Sequence, residues 1–181
     1  MRSYRFYQQE KALYHSSPGF ISEYWQLKSD RERWLLLSRA LKVLRGQYSD
    51  FVVHALVLMS THFHLLFSCA SHKENFIIED LHSELKKMLN ETTVDDVLDR
   101  PLVPEQINSY QQLLNAYRYI YRNPVNAGLS HEVEAYPFST LRELLGKQPN
   151  LISSSDLLHV IQDPIRVLNW LNDQNNSLFF H

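Results

Sequence analysis

A nearly uninterrupted apolar run at residues 51–58 constrains this chain more than any other feature of its sequence. The run reads Phe-Val-Val-His-Ala-Leu-Val-Leu, and short apolar runs of this kind are typical of strands covered on both faces. Only Met59, Ser60 and Thr61 separate it from a second apolar segment, residues 62–69. Strands joined by so few residues pair antiparallel, because a parallel crossover needs a dozen residues or more. The sequence therefore predicts a buried hairpin.

Apolar residues recur at three- and four-residue spacing in several other segments, which predicts helices. We expect a first helix to be capped by Asp30 and to end at Gly46. The strongest helical pattern begins at Glu105, and we expect that helix to end at Arg122, because the residue before Pro124 avoids helical dihedral angles. Further predictions are an opening strand over residues 4–15, a helix over 76–90, and short helices over 140–147 and 154–173.

These elements together predict an α+β fold, in which helices pack on one face of an antiparallel sheet. Their order is compatible with a ferredoxin-like or RRM-like sheet, and it leaves the order of the strands open. The length of 181 residues fits one domain. We assign residues 1–148 to this domain and residues 149–181 to a C-terminal helical tail that packs on it.

The composition of the chain indicates the compartment in which we expect the protein. The polar start does not resemble a signal peptide, and no segment approaches the roughly 20 apolar residues of a membrane span. The single cysteine, Cys69, leaves no internal disulfide and no thiolate zinc cluster. We therefore expect a cytoplasmic protein without a membrane partner.

The charge distribution bears on nucleic-acid partners. The whole chain has a net charge of −2 at pH 7, although proteins that bind nucleic acid usually present a basic surface. Residues 1–50 nevertheless carry nine Lys and Arg against five Asp and Glu, whereas residues 51–100 carry four against eight. A DNA-facing surface is therefore expected to use the first fifty residues, and any one of these cations could instead lie on a solvated helix face. The candidates are Arg2, Arg5, Lys11, Arg39, Lys42 and Arg45.

Two histidines flank Phe63 at the start of the second predicted strand. In a strand, side chains two residues apart point to the same face, so His62 and His64 stand close enough to share one metal ion. Phe63 then points to the opposite face, into a core. A His-x-His pattern is common by chance, and the alternative is two hydrogen-bonded histidines on an exposed sheet face.

The strongest predicted helix carries a polar stripe that ends in a tyrosine and an asparagine. Tyr117 and Tyr121 fall on the other side and are predicted to be core aromatics. Tyr119 lies on the polar stripe, one turn before Asn123. By helical spacing alone, an ordinary surface tyrosine is the simpler interpretation of Tyr119. The stripe comprises Gln112, Asn115, Tyr119 and Asn123.

Two histidines and an asparagine side-chain oxygen can bind Mg²⁺ or Mn²⁺ and leave coordination positions for a scissile phosphate. A tyrosine one turn from the asparagine would lie near that phosphate. Tyrosine has a solution pKa near 10, so it needs a metal ion to polarise the phosphoryl oxygen and screen the charge of its attack. The phosphotyrosine product conserves the energy of the broken bond. These residues suffice for the chemistry provided that they meet in space.

Three segments carry a family resemblance. Residues 57–66, Val-Leu-Met-Ser-Thr-His-Phe-His-Leu-Leu, resemble the metal-binding hairpin of single-tyrosine HUH transposases, especially the REP-associated tyrosine transposases. Residues 119–129, which include Tyr-Ile-Tyr-Arg-Asn-Pro, resemble the tyrosine helix of that family and the turn after it. Residues 136–140, Tyr-Pro-Phe-Ser-Thr, are similar to its downstream motif. The chain departs from the family at Ser60-Thr61, where Pro-Asn is usual.

The resemblance implies a single-tyrosine DNA endonuclease or transposase that cleaves and rejoins single-stranded DNA beside a hairpin through a 5′-phosphotyrosine, in transposition or in domesticated REP-element processing. It implies His62, His64 and Asn123 as metal ligands and Tyr119 as the nucleophile. Arg122 joins the candidate DNA-binding residues, and the chain is expected to be a monomer or a homodimer. Two alternatives remain: a non-catalytic DNA-hairpin-binding protein on the same fold, and a metal-dependent phosphoesterase acting on a small substrate.

Overall fold

The computed structural model describes residues 11–89, 97–99, 103–152, 154–158 and 160–173. Within these ranges the strands are β1 (Lys11–Ser16), β2 (Val52–Leu58), β3 (Phe63–Ala70) and β4 (Glu105–Ile107). The α-helices are α1 (Glu23–Gln26), α2 (Asp30–Gln47), α3 (Glu74–Met88), α4 (Tyr110–Asn126), α5 (Thr140–Leu144) and α6 (Pro164–Asn172), and a 3₁₀ turn spans Val133–Ala135. The predicted hairpin and the helix expected over residues 76–90 are thus present, with shifts of one or two residues at their ends.

The strands form one antiparallel sheet in the order β2-β3-β1-β4. The helix α2 connects β1 to β2, and α3 connects β3 to β4. Each crossover therefore joins two strands that have a third strand between them, which is the ferredoxin-like arrangement. The predicted α+β fold with helices on an antiparallel sheet is confirmed, and the structure supplies the strand order.

Helices cover both faces of the sheet rather than the one face expected, because side chains alternate along its strands and are apolar on both sides. Phe63 and Phe67 of β3 lie in the core cluster formed with α2 and α3. Leu66 lies in a second cluster, on the opposite face, with Tyr117 and Tyr121 of α4. Both tyrosines are buried, as their helical spacing predicts.

The start of α2 differs from its prediction by one residue, because Ser29 rather than Asp30 is the N-cap. The Ser29 hydroxyl accepts a hydrogen bond from the backbone N–H of Glu32, and the Glu32 carboxylate accepts one from the backbone N–H of Ser29 at 2.8 Å. This capping box requires a hydroxyl and a carboxylate three residues apart. The helix also passes the predicted end at Gly46 and stops at Gln47.

The helix predicted over residues 105–122 was wrong at both ends. Glu105–Ile107 instead pair with β1 as an edge strand, and Ser109 caps α4 two residues later. The helix then continues through Pro124 to Asn126, although the proline has no N–H to donate to the backbone of the preceding turn. Gly128, with a φ of 70°, closes the chain just after the helix in the left-handed conformation that favours glycine.

Residues 136–140 cover the free edge of β2. The backbone N–H of Leu58 donates to the Phe138 carbonyl at 3.0 Å, and that of Leu56 donates to the Thr140 hydroxyl at 2.9 Å. The Tyr136 hydroxyl donates to the Leu58 carbonyl at 2.7 Å. The edge strand is thereby satisfied within the chain rather than left open for pairing with another molecule.

The C-terminal part of the described chain is less helical than predicted. Only Pro164–Asn172 of the segment 154–173 form a helix, and the described residues before it form turns. Val167 and Leu171 of this helix lie in the same core cluster as α4. None of the helices within the described ranges is long and apolar enough to cross a membrane.

Candidate active site

Three histidine rings lie together on the face of the sheet that α4 covers. His62 immediately precedes β3 and His64 is its second residue, so alternation directs both to one face. Their Nε2 atoms lie 3.0 Å apart, as the predicted pairing of these side chains requires. His15 of β1 completes the group, with its Nε2 atom 3.3 Å from Nδ1 of His64.

His15 is the site residue that the sequence analysis missed. It lies directly opposite Leu66 in the β1–β3 pairing, so it is a diagonal neighbour of His64 on the same face. Side chains alternate along residues 11–16, so His15 points to the face of the sheet opposite the one to which the core residue Tyr14 points. That local signal was available, but only the pairing of β1 with β3 identifies the partner.

The contacts form a chain from Thr61 through His62 and His64 to His15. The Thr61 hydroxyl lies 3.0 Å from Nδ1 of His62, which leaves Nε2 of that ring for His64. If His64 carries its hydrogen on Nδ1 and donates it to His15, its Nε2 atom bears the lone pair and faces His62.

Burial lowers the pKa of all three imidazoles. The pKa of His64 falls to about 3, first because of burial and then because of its neighbours His62 and His15. Burial also lowers the pKa of His62 and of His15. The rings are therefore neutral near pH 7, which is the form in which imidazole binds a metal ion.

The helix α4 brings Tyr119 and Asn123 to the same place. The Tyr119 ring meets the His64 ring edge-on with 5.2 Å between centroids, and it lies 6.2 Å from the His15 ring. Tyr119 remains 52% exposed. The Asn123 amide nitrogen donates to the Tyr119 carbonyl at 2.7 Å, and the Asn123 side chain also makes a hydrogen bond with His64. The residues predicted to act together therefore do meet in space.

The donor set fits a divalent cation. Two neighbouring ligands of an octahedral ion, each about 2.1 Å from it, lie roughly 3 Å from each other, which is the separation of the Nε2 atoms of His62 and His64. An amide binds a cation through its oxygen, and the Asn123 amide nitrogen already donates to the Tyr119 carbonyl. No group of three or more His, Cys, Asp or Glu in the described residues is arranged to hold a metal. A site here would thus need the asparagine oxygen.

The basic candidate residues are dispersed over the surface. Arg39, Lys42 and Arg45 of α2 are exposed and line an open groove of about 590 Å³ beside residues 150–152. Lys11 is exposed at the start of β1. Arg2 and Arg5 lie outside the described residues.

Arg122 has structural partners. Its guanidinium donates to the carbonyl of Leu171 at 2.8 Å and to that of Asp173 at 3.1 Å. Arg118 likewise donates to the carbonyl of Trp170 at 3.3 Å. These bonds attach the end of α6 to α4, and contact of Arg122 with DNA stays a prediction.

Comparison with known proteins identifies the fold. No protein-family model and no curated protein matches the sequence. Among solved structures, the chain is similar to a REP-associated tyrosine transposase bound to a REP hairpin, with 18% identity and a TM-score of 0.63. The match covers 81% of this chain and 87% of that one. The two proteins share a fold. The shared fold agrees with the α+β architecture predicted from the sequence.

Proposed function

We propose that this chain is a metal-dependent enzyme that cleaves and rejoins single-stranded DNA at a hairpin, with Tyr119 as its nucleophile. The observation that carries the proposal is the edge contact of Tyr119 with His64, whose Nε2 atom lies 3.0 Å from that of His62. A nucleophile and a candidate metal-binding pair thus adjoin one another. The similarity in fold to a transposase bound to a REP hairpin supports a DNA hairpin as the substrate.

His62, His64 and the side-chain oxygen of Asn123 would hold Mg²⁺ or Mn²⁺. When bound, the ion polarises a phosphoryl oxygen and offsets the negative charge that develops there. The neutral imidazoles and the contact of the Asn123 side chain with His64 support this assignment.

The reaction forms a bond between the phenolic oxygen of Tyr119 and the scissile phosphorus. The bond from phosphorus to the 3′ oxygen breaks, the phenolic proton passes to solvent, and the leaving 3′ oxygen takes a proton from solvent. The reverse reaction rejoins the strand. The half-exposed ring of Tyr119 leaves room for a substrate, whereas Tyr117 and Tyr121 are buried and inaccessible.

Arg39, Lys42 and Arg45 are our proposed contacts to the DNA backbone. They line one groove, and none of the other residues that line it is acidic. Since α2 covers the face of the sheet opposite α4, this groove would hold phosphates away from the cleavage point. Guanidinium and ammonium groups bind phosphate oxygens regardless of base sequence.

The test uses labelled hairpin DNA from the flanks of the coding region, Mn²⁺ and a denaturing gel. We expect a protease-sensitive protein–DNA band that is absent with Tyr119→Phe. The matched control is Tyr110→Phe, which removes a hydroxyl from the same helix about 13 Å along its axis and should keep the band. Tyr119→Phe should also keep the mobility shift of a native gel.

Other outcomes of this experiment would support a different nucleophile or one of the two alternative functions. Undiminished adduct with Tyr119→Phe would rule out this residue as the nucleophile. A native mobility shift without any covalent band would instead support the non-catalytic hairpin-binding protein. Hydrolysis of a small phosphodiester without hairpin binding would support the phosphoesterase.

A further inference from the structure

His62, His15 and Asn123 all contact the His64 ring, and among these three partners His15 alone lies outside the proposed metal site. Nε2 of His64 faces Nε2 of His62, and Nδ1 faces Nε2 of His15 at 3.3 Å. The His15 and His64 rings lie nearly parallel, with 5.5 Å between centroids and 16° between planes. His15 therefore restrains the rotation of the His64 ring through the contact at Nδ1.

We propose that His15 is a positioning residue for the candidate metal centre. It accepts a hydrogen bond from Nδ1 of His64 and so keeps the proton off Nε2, the nitrogen that faces His62. This inference rests on the proposed metal site at His62 and His64. An outer hydrogen bond of this kind fixes the tautomer and the orientation of a metal-binding imidazole.

The geometry argues that His15 acts through His64 rather than as a ligand beside it. His15 contacts Nδ1, whereas the proposed ion would sit at Nε2, between His64 and His62. In agreement, no three acidic, histidine or cysteine side chains of the described chain are arranged around one point as a metal site.

The backbone of His15 is well placed for this role. β1 is an inner strand, paired with β3 on one side and with β4 on the other. The His15 ring also meets the Tyr119 ring edge-on, at 6.2 Å between centroids. One side chain on a rigid strand thereby touches both a proposed metal ligand and the proposed nucleophile.

The experiment measures Mn²⁺ affinity of the DNA-free full chain by calorimetry. His15→Phe keeps an aromatic ring and removes the acceptor, and we expect it to weaken Mn²⁺ binding by about 10- to 100-fold. His15→Gln retains an acceptor near the position of Nε2 and should recover most of the affinity. His62→Ala, which removes a proposed ligand, should lose binding altogether.

A second measurement needs no variant. The imidazole ¹⁵N spectrum of the metal-free chain should show His64 with its proton on Nδ1. A proton on Nε2 of His64, or wild-type Mn²⁺ affinity in His15→Phe, would overturn the role of His15 alone. Equal weakening by His15→Phe and His15→Gln would overturn the hydrogen bond as its cause. Absence of Mn²⁺ binding by the unmodified chain would overturn the metal site itself and this inference with it.

Discussion

The rings of Tyr119 and His64 lie almost perpendicular, at 81°, with 5.2 Å between their centroids. This contact joins α4 to β3, an inner strand of the sheet. Tyr117 and Tyr121, two residues to either side, are buried in the core beneath the helix. Their burial sets the rotation of α4 about its axis, and that rotation directs Tyr119 to the histidines.

Removal of the divalent metal should abolish the covalent DNA adduct and leave hairpin binding in place. A chelator should suppress the denaturing-gel band, and added Mn²⁺ should restore it. Loss of a metal ligand removes several kcal/mol of transition-state stabilisation, so His62→Ala should slow adduct formation by about 100-fold or more. His131→Ala, which removes an exposed histidine elsewhere, should not change the rate. Full adduct formation in excess chelator would contradict a metal role for the histidines.

Thr140→Val should destabilise the fold without touching the candidate site. The Thr140 hydroxyl binds the Leu56 backbone N–H and the Tyr121 hydroxyl, each at 2.9 Å, in a buried position. Leaving a buried N–H without a partner costs about 1–3 kcal/mol. Tyr121→Phe removes only one of these bonds, and we expect a loss nearer 1 kcal/mol. Urea unfolding measures the free energy of unfolding of both variants. A larger loss for Tyr121→Phe than for Thr140→Val would contradict the role of the Thr140 hydroxyl as the partner of the Leu56 N–H.

The stability of the protein should fall on acidification partly because of His54. Burial, followed by the charge of Lys11, lowers the pKa of His54 to about 4, and its ring bonds the Ser68 hydroxyl at 2.9 Å. In the unfolded chain, the His54 imidazole takes up a proton below about pH 6.5. Neutral His54 therefore contributes fully to the free energy of unfolding above that pH, and this contribution is lost as the pH falls toward 4.

The matching variant is His54→Gln, which can keep a bond to Ser68 and does not titrate. Between pH 7 and pH 5 the wild type should lose about 2 kcal/mol more of its free energy of unfolding than the variant does. Urea denaturation at the two pH values provides the comparison, in which all other ionisable groups are shared. Parallel pH dependence in the two proteins would show that His54 takes no part.

Substitution of the groove cations should weaken hairpin binding in a salt-dependent manner. Each phosphate contact adds nearly one to the slope of log affinity against log salt. The double variant Arg39→Ala/Lys42→Ala should therefore lower both the affinity and this slope, by about two. Lys87→Ala removes a cation of α3 that is paired with Glu84, outside the groove, and is the control. If the slope were unchanged in the double variant, the DNA backbone would not contact this groove.

The hairpin and the polar stripe show how much of the site could be predicted. Alternation placed His62 and His64 on one face, and helical spacing separated Tyr119 from the core residues Tyr117 and Tyr121. His15 escaped prediction because its partner His64 lies 49 residues away. No local pattern states which strand lies beside which.

By itself, the sequence determined the hairpin, the direction of its side chains and the two sides of α4, because side-chain alternation and helical periodicity act between residues close in the chain. Only the tertiary structure decided that Glu105–Ile107 pair as a strand, that His15 contacts Nδ1 of His64, and that Arg122 donates to a carbonyl at the end of α6. These outcomes depend on strand pairing and on hydrogen bonds between residues distant in sequence, and such contacts exist only once the layers have packed.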